Sequence, residues 1–186
     1  MKTIFRFIAT LAVVLGFGTF AMAQNQQQSS DIRVGAWVSS ELAVSQIDSL
    51  FFGTIAQTSG LTKTVAPDGT VTGSAGGAQY GVHAGVGKIV RSGDAQVDYK
   101  LSNVPTVLTK FNGTATMNIG SFATAYDFQN PGSTFNAGEG TVTDWTTVSG
   151  TGNDIYVFIG ATITTTANTT ALGEYGDKCT LVAEYN

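Results

Sequence analysis

The sequence predicts an all-β, antiparallel fold of two packed sheets, and three observations carry that prediction. Gly, Asn, Asp and Ser interrupt short apolar runs about every ten residues, the rhythm of a sandwich or barrel. Apolar and polar residues alternate strictly in three segments, near the N-terminus, at 96–101 and at 179–185, and strand side chains repeat with period two. Beyond position 23 Thr is the commonest residue, with Val, Ile, Phe and Tyr recurring beside it, and these types suit a pleated, half-buried surface.

Composition sets the frame. The 186 residues are 42% hydrophobic and 12% charged, against about 25% charged in ordinary domains. The exposed surface must therefore rely on Thr, Ser, Asn and Gln. A disordered chain would be richer in charge and poorer in apolar residues. The length suits one domain. A formal charge of −4 and a pI near 4.7 argue against nucleic acid as a partner.

Taken in order, the chain opens as a secretory signal peptide. Lys2 and Arg6 form a positive start, residues 7–20 are apolar, and Ala21-Met22-Ala23 offers a cleavage site. The apolar run is shorter than the ~20 residues of a membrane span. Cleavage after Ala23 would leave seven basic and thirteen acidic residues, a net charge of −6. The predicted organisation is a signal peptide at 1–23, an extension at 24–40 and a β-sandwich domain at 41–186. The predicted location is the cell surface or exterior, reached through the periplasm, with no membrane span in the exported form.

The extension begins with a polar run at 24–30. Ile32, Val34, Ala36 and Val38 then alternate with Arg33, Gly35, Trp37 and Ser39, so one apolar face is presented. This segment reads either as the domain's own first strand or as a donor strand that completes a neighbour's sheet. Residues 41–51 place Ala43, Ile47, Leu50 and Phe51 at helix-like spacing, which predicts a short helix or turn near 47–49. Pro67-Asp68-Gly69 predicts a turn joining strands at 62–65 and 70–72. Further strands are predicted at 79–82, 88–91, 95–101, 114–125, 141–148, 155–166 and 179–185, with a long loop at 126–140. In the last strand Cys179, Leu181, Ala183 and Tyr185 share one face. The sequence ends directly after it, which we read as leaving a final strand to be supplied.

The chemistry is sparse. His83 is the only histidine and Cys179 the only cysteine, so neither a catalytic triad nor a zinc site is expected, and no internal disulfide can close. Asp94 and Asp98, or Asp144 and Asp154, could pair as in glycoside hydrolysis, but solvated surface carboxylates are the simpler reading. No EF-hand-type calcium loop is present, and Gly76-Gly77 precedes no helix that could bind phosphate. We therefore expect no enzyme and no cofactor. Trp37, Trp145, Tyr126 and Phe128 could line a sugar-binding surface or serve as core.

The donor reading assigns Ile32, Val34, Ala36 and Val38 as donor residues. The acceptor groove it predicts is lined by Ile155, Val157, Ile159, Leu181, Ala183 and Tyr185. Burying side chains of Val or Ile size contributes ~1.5–3 kcal/mol each, so the donor face could supply roughly 5–10 kcal/mol before ordering costs.

A resemblance points the same way. Leu50-Phe51-Phe52-Gly53-Thr54-Ile55, then Thr64-Val65-Ala66-Pro67-Asp68-Gly69, then Ala95-Gln96-Val97-Asp98-Tyr99-Lys100-Leu101, and the ending from Gly173-Glu174-Tyr175-Gly176 to Leu181-Val182-Ala183-Glu184-Tyr185 resemble a family of uncharacterised exported bacterial β-domains. That family is similar to pilin-like domains of the spore-coat-protein-U kind, and the resemblance covers roughly residues 42–186. A longer region at 126–154 and Asp177-Lys178-Cys179 depart from its pattern. The resemblance implies an immunoglobulin-like (pilin-like) β-sandwich. It implies a structural subunit or accessory protein of a bacterial surface filament or matrix, whose partners are other copies or related subunits and a periplasmic chaperone. The runner-up is a monomeric surface module binding glycan or protein, with Trp37 and Trp145 as contacts.

Overall fold

The computed structural model describes residues 42–186 apart from 57, 76–80, 131–134, 139–140, 153 and 167–170. The chain divides into two units, 1–38 and 39–186. The signal peptide and the four donor residues lie outside the described residues.

The described residues form twelve strands and no helix. They are β1 (Ala43–Asp48), β2 (Thr62–Val65), β3 (Val71–Gly73), β4 (Gly85–Val90), β5 (Val97–Ser102), β6 (Val107–Lys110), β7 (Thr116–Asp127), β8 (Asn136–Ala137), β9 (Thr146–Val148), β10 (Asp154–Thr164), β11 (Tyr175–Gly176) and β12 (Thr180–Tyr185). Nine build one sheet in the order β1-β4-β10-β7-β6-β11, with the β2–β3 hairpin on β10 and β8 on β7. Three build the other, β12-β5-β9. Every pairing is antiparallel.

Strand β10 is the axis of the larger sheet. Its middle, Val157 to Ala161, is buried on both faces, as its nearly unbroken apolar run requires. Along one edge it pairs β4 through Ile159 and then β2 from Ala161; along the other it pairs β7. Gly160 sits at the changeover. A Cβ there would lie 2.4 Å from the Val65 carbonyl oxygen, so only glycine lets the hairpin approach. Opposite, the register with β7 slips, and Ser121 takes a positive φ of 48° within the bulge.

The sheets meet through one core. Ile89 of β4 and Ile155, Val157 and Ile159 of β10 pack with Val97, Tyr99 and Leu101 of β5 and Val148 of β9. The alternation predicted at 96–101 is observed: Val97, Tyr99 and Leu101 are 0–1% exposed. Tyr99 keeps its hydroxyl 3.4 Å from Thr124 Oγ1, and burial pushes its pKa up. A second cluster gathers Phe52, Val65, Ala84, Met117, Ile119, Ala161 and Ile163 beneath the far halves of β7 and β10.

The hairpin at 62–73 forms as its turn chemistry dictates. Gly69 takes a φ of 81°, and the Asp68 carboxylate accepts the Thr70 N–H at 2.8 Å, which lowers its pKa. That small contribution is present above the ordinary carboxylate pKa and fades as pH falls through the lowered folded value.

Four expectations need correction. Residues 43–48 form a strand rather than a helix or turn, because pairing to the open edge of β4 outweighs a weak helical spacing. The register with β4 skips Ile47, which forms a bulge between Gln46 and Asp48. Of the strand predicted at 79–82, residues 79–80 lie outside the described residues and 81–82 are turn and coil; the strand begins at Gly85. Of 141–148 only 146–148 is strand, since Asp144 accepts the Thr141 N–H and hydroxyl and closes a turn. Within 126–140, Tyr126 and Asp127 belong to β7, and β8 pairs back to Tyr126 and Ala125. Strand β6 had no distinct signal in the sequence.

Candidate functional site

The site is a cleft of about 810 Å3 at one end of the sandwich. Its existence follows from unequal sheets: β7 and β10 run 12 and 11 residues, whereas the strands facing them have six or fewer. Part of the larger sheet's inner face is left without a facing strand. Leu108, Met117, Ile119, Phe122, Ile159 and Ile163 line this cleft from β6, β7 and β10. One bank comes from β1 and the chain after it, including Val44, Leu50, Phe51 and Phe52. The other comes from the chain leading into β12, including Leu172, Tyr175, Cys179 and Leu181.

Two backbone edges border it. Among the described residues β1 pairs only with β4, and β12 only with β5. The two strands approach each other across the sandwich. Leu181 reaches from β12 onto Gly87 of β4, where an added Cβ would meet its Cδ2 at 2.5 Å. Apolar side chains are unusually open here. Val44, Phe51 and Leu172 are 43%, 48% and 77% exposed, and all three line the cleft.

The predicted acceptor residues fall into one cluster. Ile155, Val157 and Ile159 are core, and Leu181, Ala183 and Tyr185 are half-buried against them. Only Ile159 and Leu181 line the cleft; Ile155 and Val157 are already closed beneath the smaller sheet. The sequence reading missed Leu108, Met117, Ile119 and Phe122. Alternation at Met117 and Ile119 marks one face of β7 as apolar but cannot say that no strand covers it, and the bulge at Ser121 changes the parity before Phe122.

The ionisable groups are dispersed. His83 is half-buried, its backbone bridged to Phe51 by two hydrogen bonds of 3.0 and 3.1 Å, and its Nδ1 lies 3.7 Å from Asp48. Asp94 accepts the Gly152 N–H, and Asp98 lies 3.3 Å from the Asn186 amide nitrogen. Asp154 pairs with Lys88 at 2.7 Å, and Asp144 caps its own turn. Among the described residues no three His, Cys, Asp or Glu side chains converge as metal ligands would. Burial pushes the Cys179 thiol up, away from the thiolate form that reacts. Trp145 carries the Lys100 amine 4.1 Å from its ring centroid, which occupies one ring face. Tyr126 and Phe128 stack edge-to-face, and Trp37 lies outside the described residues.

Lys63 lies on the buried face of β2, level with Ile163, and its Nζ has no hydrogen-bond partner among the described residues. A buried polar atom without a partner is costly. Lys63→Met is expected to raise stability by about 1–2 kcal/mol in urea unfolding. A loss of stability would show that the amine is satisfied in solution.

A family model described as "Domain of unknown function (DUF4402)" matches residues 42–185. No curated protein and no solved structure matches the chain.

Proposed function

The chain belongs to the DUF4402 family of domains of unknown function, and from the cleft and the alternating segment at 32–38 we propose that it is an exported structural subunit of a bacterial surface filament or matrix, assembled by strand complementation. On this reading the sandwich is immunoglobulin-like in the pilin manner, with one strand position left for another subunit. Ile32, Val34, Ala36 and Val38 of a second copy enter the cleft, and their backbone adds to the outer edge of β12.

The observation that carries the reading is the coincidence of two features at one place. An apolar cleft adjoins a strand edge with no partner among the described residues, and three of the six exposed large apolar side chains among those residues line it. Monomers rarely leave such surface open unless something docks there. Extended segments recognise a sheet edge through main-chain hydrogen bonds and alternate side-chain pockets, and the period-two face at 32–38 meets that requirement.

The test is size-exclusion chromatography with light scattering on the chain from Gln24 onward, with and without residues 24–38. The full chain is expected to associate in a concentration-dependent way and the shortened chain to remain monomeric. Equal association of both would overturn the proposal.

A further inference from the structure

We propose that Arg33 sets the register of the incoming strand by seating against the acidic rim of the cleft; the inference rests on the complementation reading above. The rim carries Asp48 on one bank and Glu174 and Asp177 on the other, with Lys178 as its one cation among the lining residues. All four are exposed. The cleft is thus apolar inside and predominantly acidic at the mouth.

The donor segment has the complementary pattern. With Ile32, Val34, Ala36 and Val38 turned inward, Arg33 faces outward, on the parity of Asp31, Gly35 and Trp37. It is the only basic residue between Gln24 and Val38. Its guanidinium then meets the carboxylates of the mouth, and Asp31, the acidic residue before it, finds Lys178 as the cation it can approach.

The apolar face alone fixes the register weakly, because Ile32, Val34 and Val38 differ little in size and only Ala36 stands apart. A slip by one residue drives Arg33 into the floor formed by Met117, Ile119 and their neighbours, where an unpaired charge is prohibitive. A slip by two preserves the faces but moves the guanidinium ~7 Å along the strand, away from its partners. Charge at the rim therefore selects among registers that packing leaves nearly equivalent, and it accelerates encounter.

The experiment follows assembly of the chain from Gln24 onward by light scattering after dilution from urea, at low and high salt, with Trp37 emission in a Trp145→Phe background as a second readout. Arg33→Glu is expected to slow assembly at least ~10-fold at low salt and to flatten its salt dependence. Arg33→Lys is expected to stay close to the unmodified rate. Reversing Glu174 and Asp177 to lysine in the Arg33→Glu chain is expected to restore it. Val34→Asp separates the two levels of argument. If Val34→Asp abolishes assembly while Arg33→Glu leaves rate and salt dependence unchanged, the register role is wrong and complementation stands. If neither variant alters assembly, complementation itself is wrong.

Discussion

Arg91→Leu is expected to destabilise the domain by about 3–5 kcal/mol, seen as a lower urea midpoint with an unchanged slope. Arg91 is 2% exposed, yet it carries a guanidinium. Nε donates to the Gly152 carbonyl at 2.9 Å, Nη2 to Gly150 at 2.7 Å and Nη1 to Ala95. The Phe128 ring lies 5.5 Å from its Cζ. One side chain thereby ties the turn after β4 to the loop before β10. Leucine fills part of the space but leaves three carbonyls without their donor. Arg91→Lys is expected to recover only part of the loss, because an ammonium lacks the planar fork that reaches three acceptors at once. A loss under ~1 kcal/mol for Arg91→Leu would mean that desolvating the guanidinium cancels what its hydrogen bonds contribute.

Gly160→Val is expected to cost about 3 kcal/mol or more, for a different reason. The atoms a side chain would meet are backbone and ring: Val65 O at 2.4 Å, Ala66 C at 2.8 Å and Pro67 Cδ at 2.8 Å. None can rotate away, so the β2–β3 hairpin must shift off the edge of β10. Gly120→Ala is the control. A Cβ there meets nothing within 4 Å, and its effect should stay within ~0.5 kcal/mol. Comparable effects of the two substitutions in thermal and urea unfolding would show that the hairpin is not held closely against β10.

Both sites bear on the cleft. Gly160 adjoins Ile159 and fixes how β10 passes from β4 to β2. Arg91 holds the opposite end of β4 while β1 pairs along its length. The cleft is thus an interruption in a sandwich whose neighbouring strands are anchored by close packing and backbone hydrogen bonds.

Several elements were legible without coordinates because their signals are local. Pro67-Asp68-Gly69 specifies its own turn, the alternation at 97–101 specifies which residues go inside, and the apolar run from Ile155 specifies a long strand. The errors fell where local signals are weak or compete. Residues 43–48 have a helical spacing that carries little free energy against six residues of ladder, and β6, four residues long after Pro105, shows no alternation of its own. Asp144 could have been read as a turn former, since a short acidic side chain beside threonines commonly binds nearby backbone amides.

The sequence by itself determined the class of fold, the inward faces of β5 and β12, the hairpin at 62–73 and the scarcity of residues able to do chemistry. These follow from side-chain size, polarity and period, properties each residue carries alone. Only the tertiary structure decided that β7 and β10 outrun the strands facing them, that β12 keeps an edge with no partner among the described residues, and that Met117 and Ile119 line a cleft while Ile155 and Val157 are sealed. Alternation states which face of a strand avoids water; what lies opposite that face depends on the lengths and pairings of strands distant in sequence.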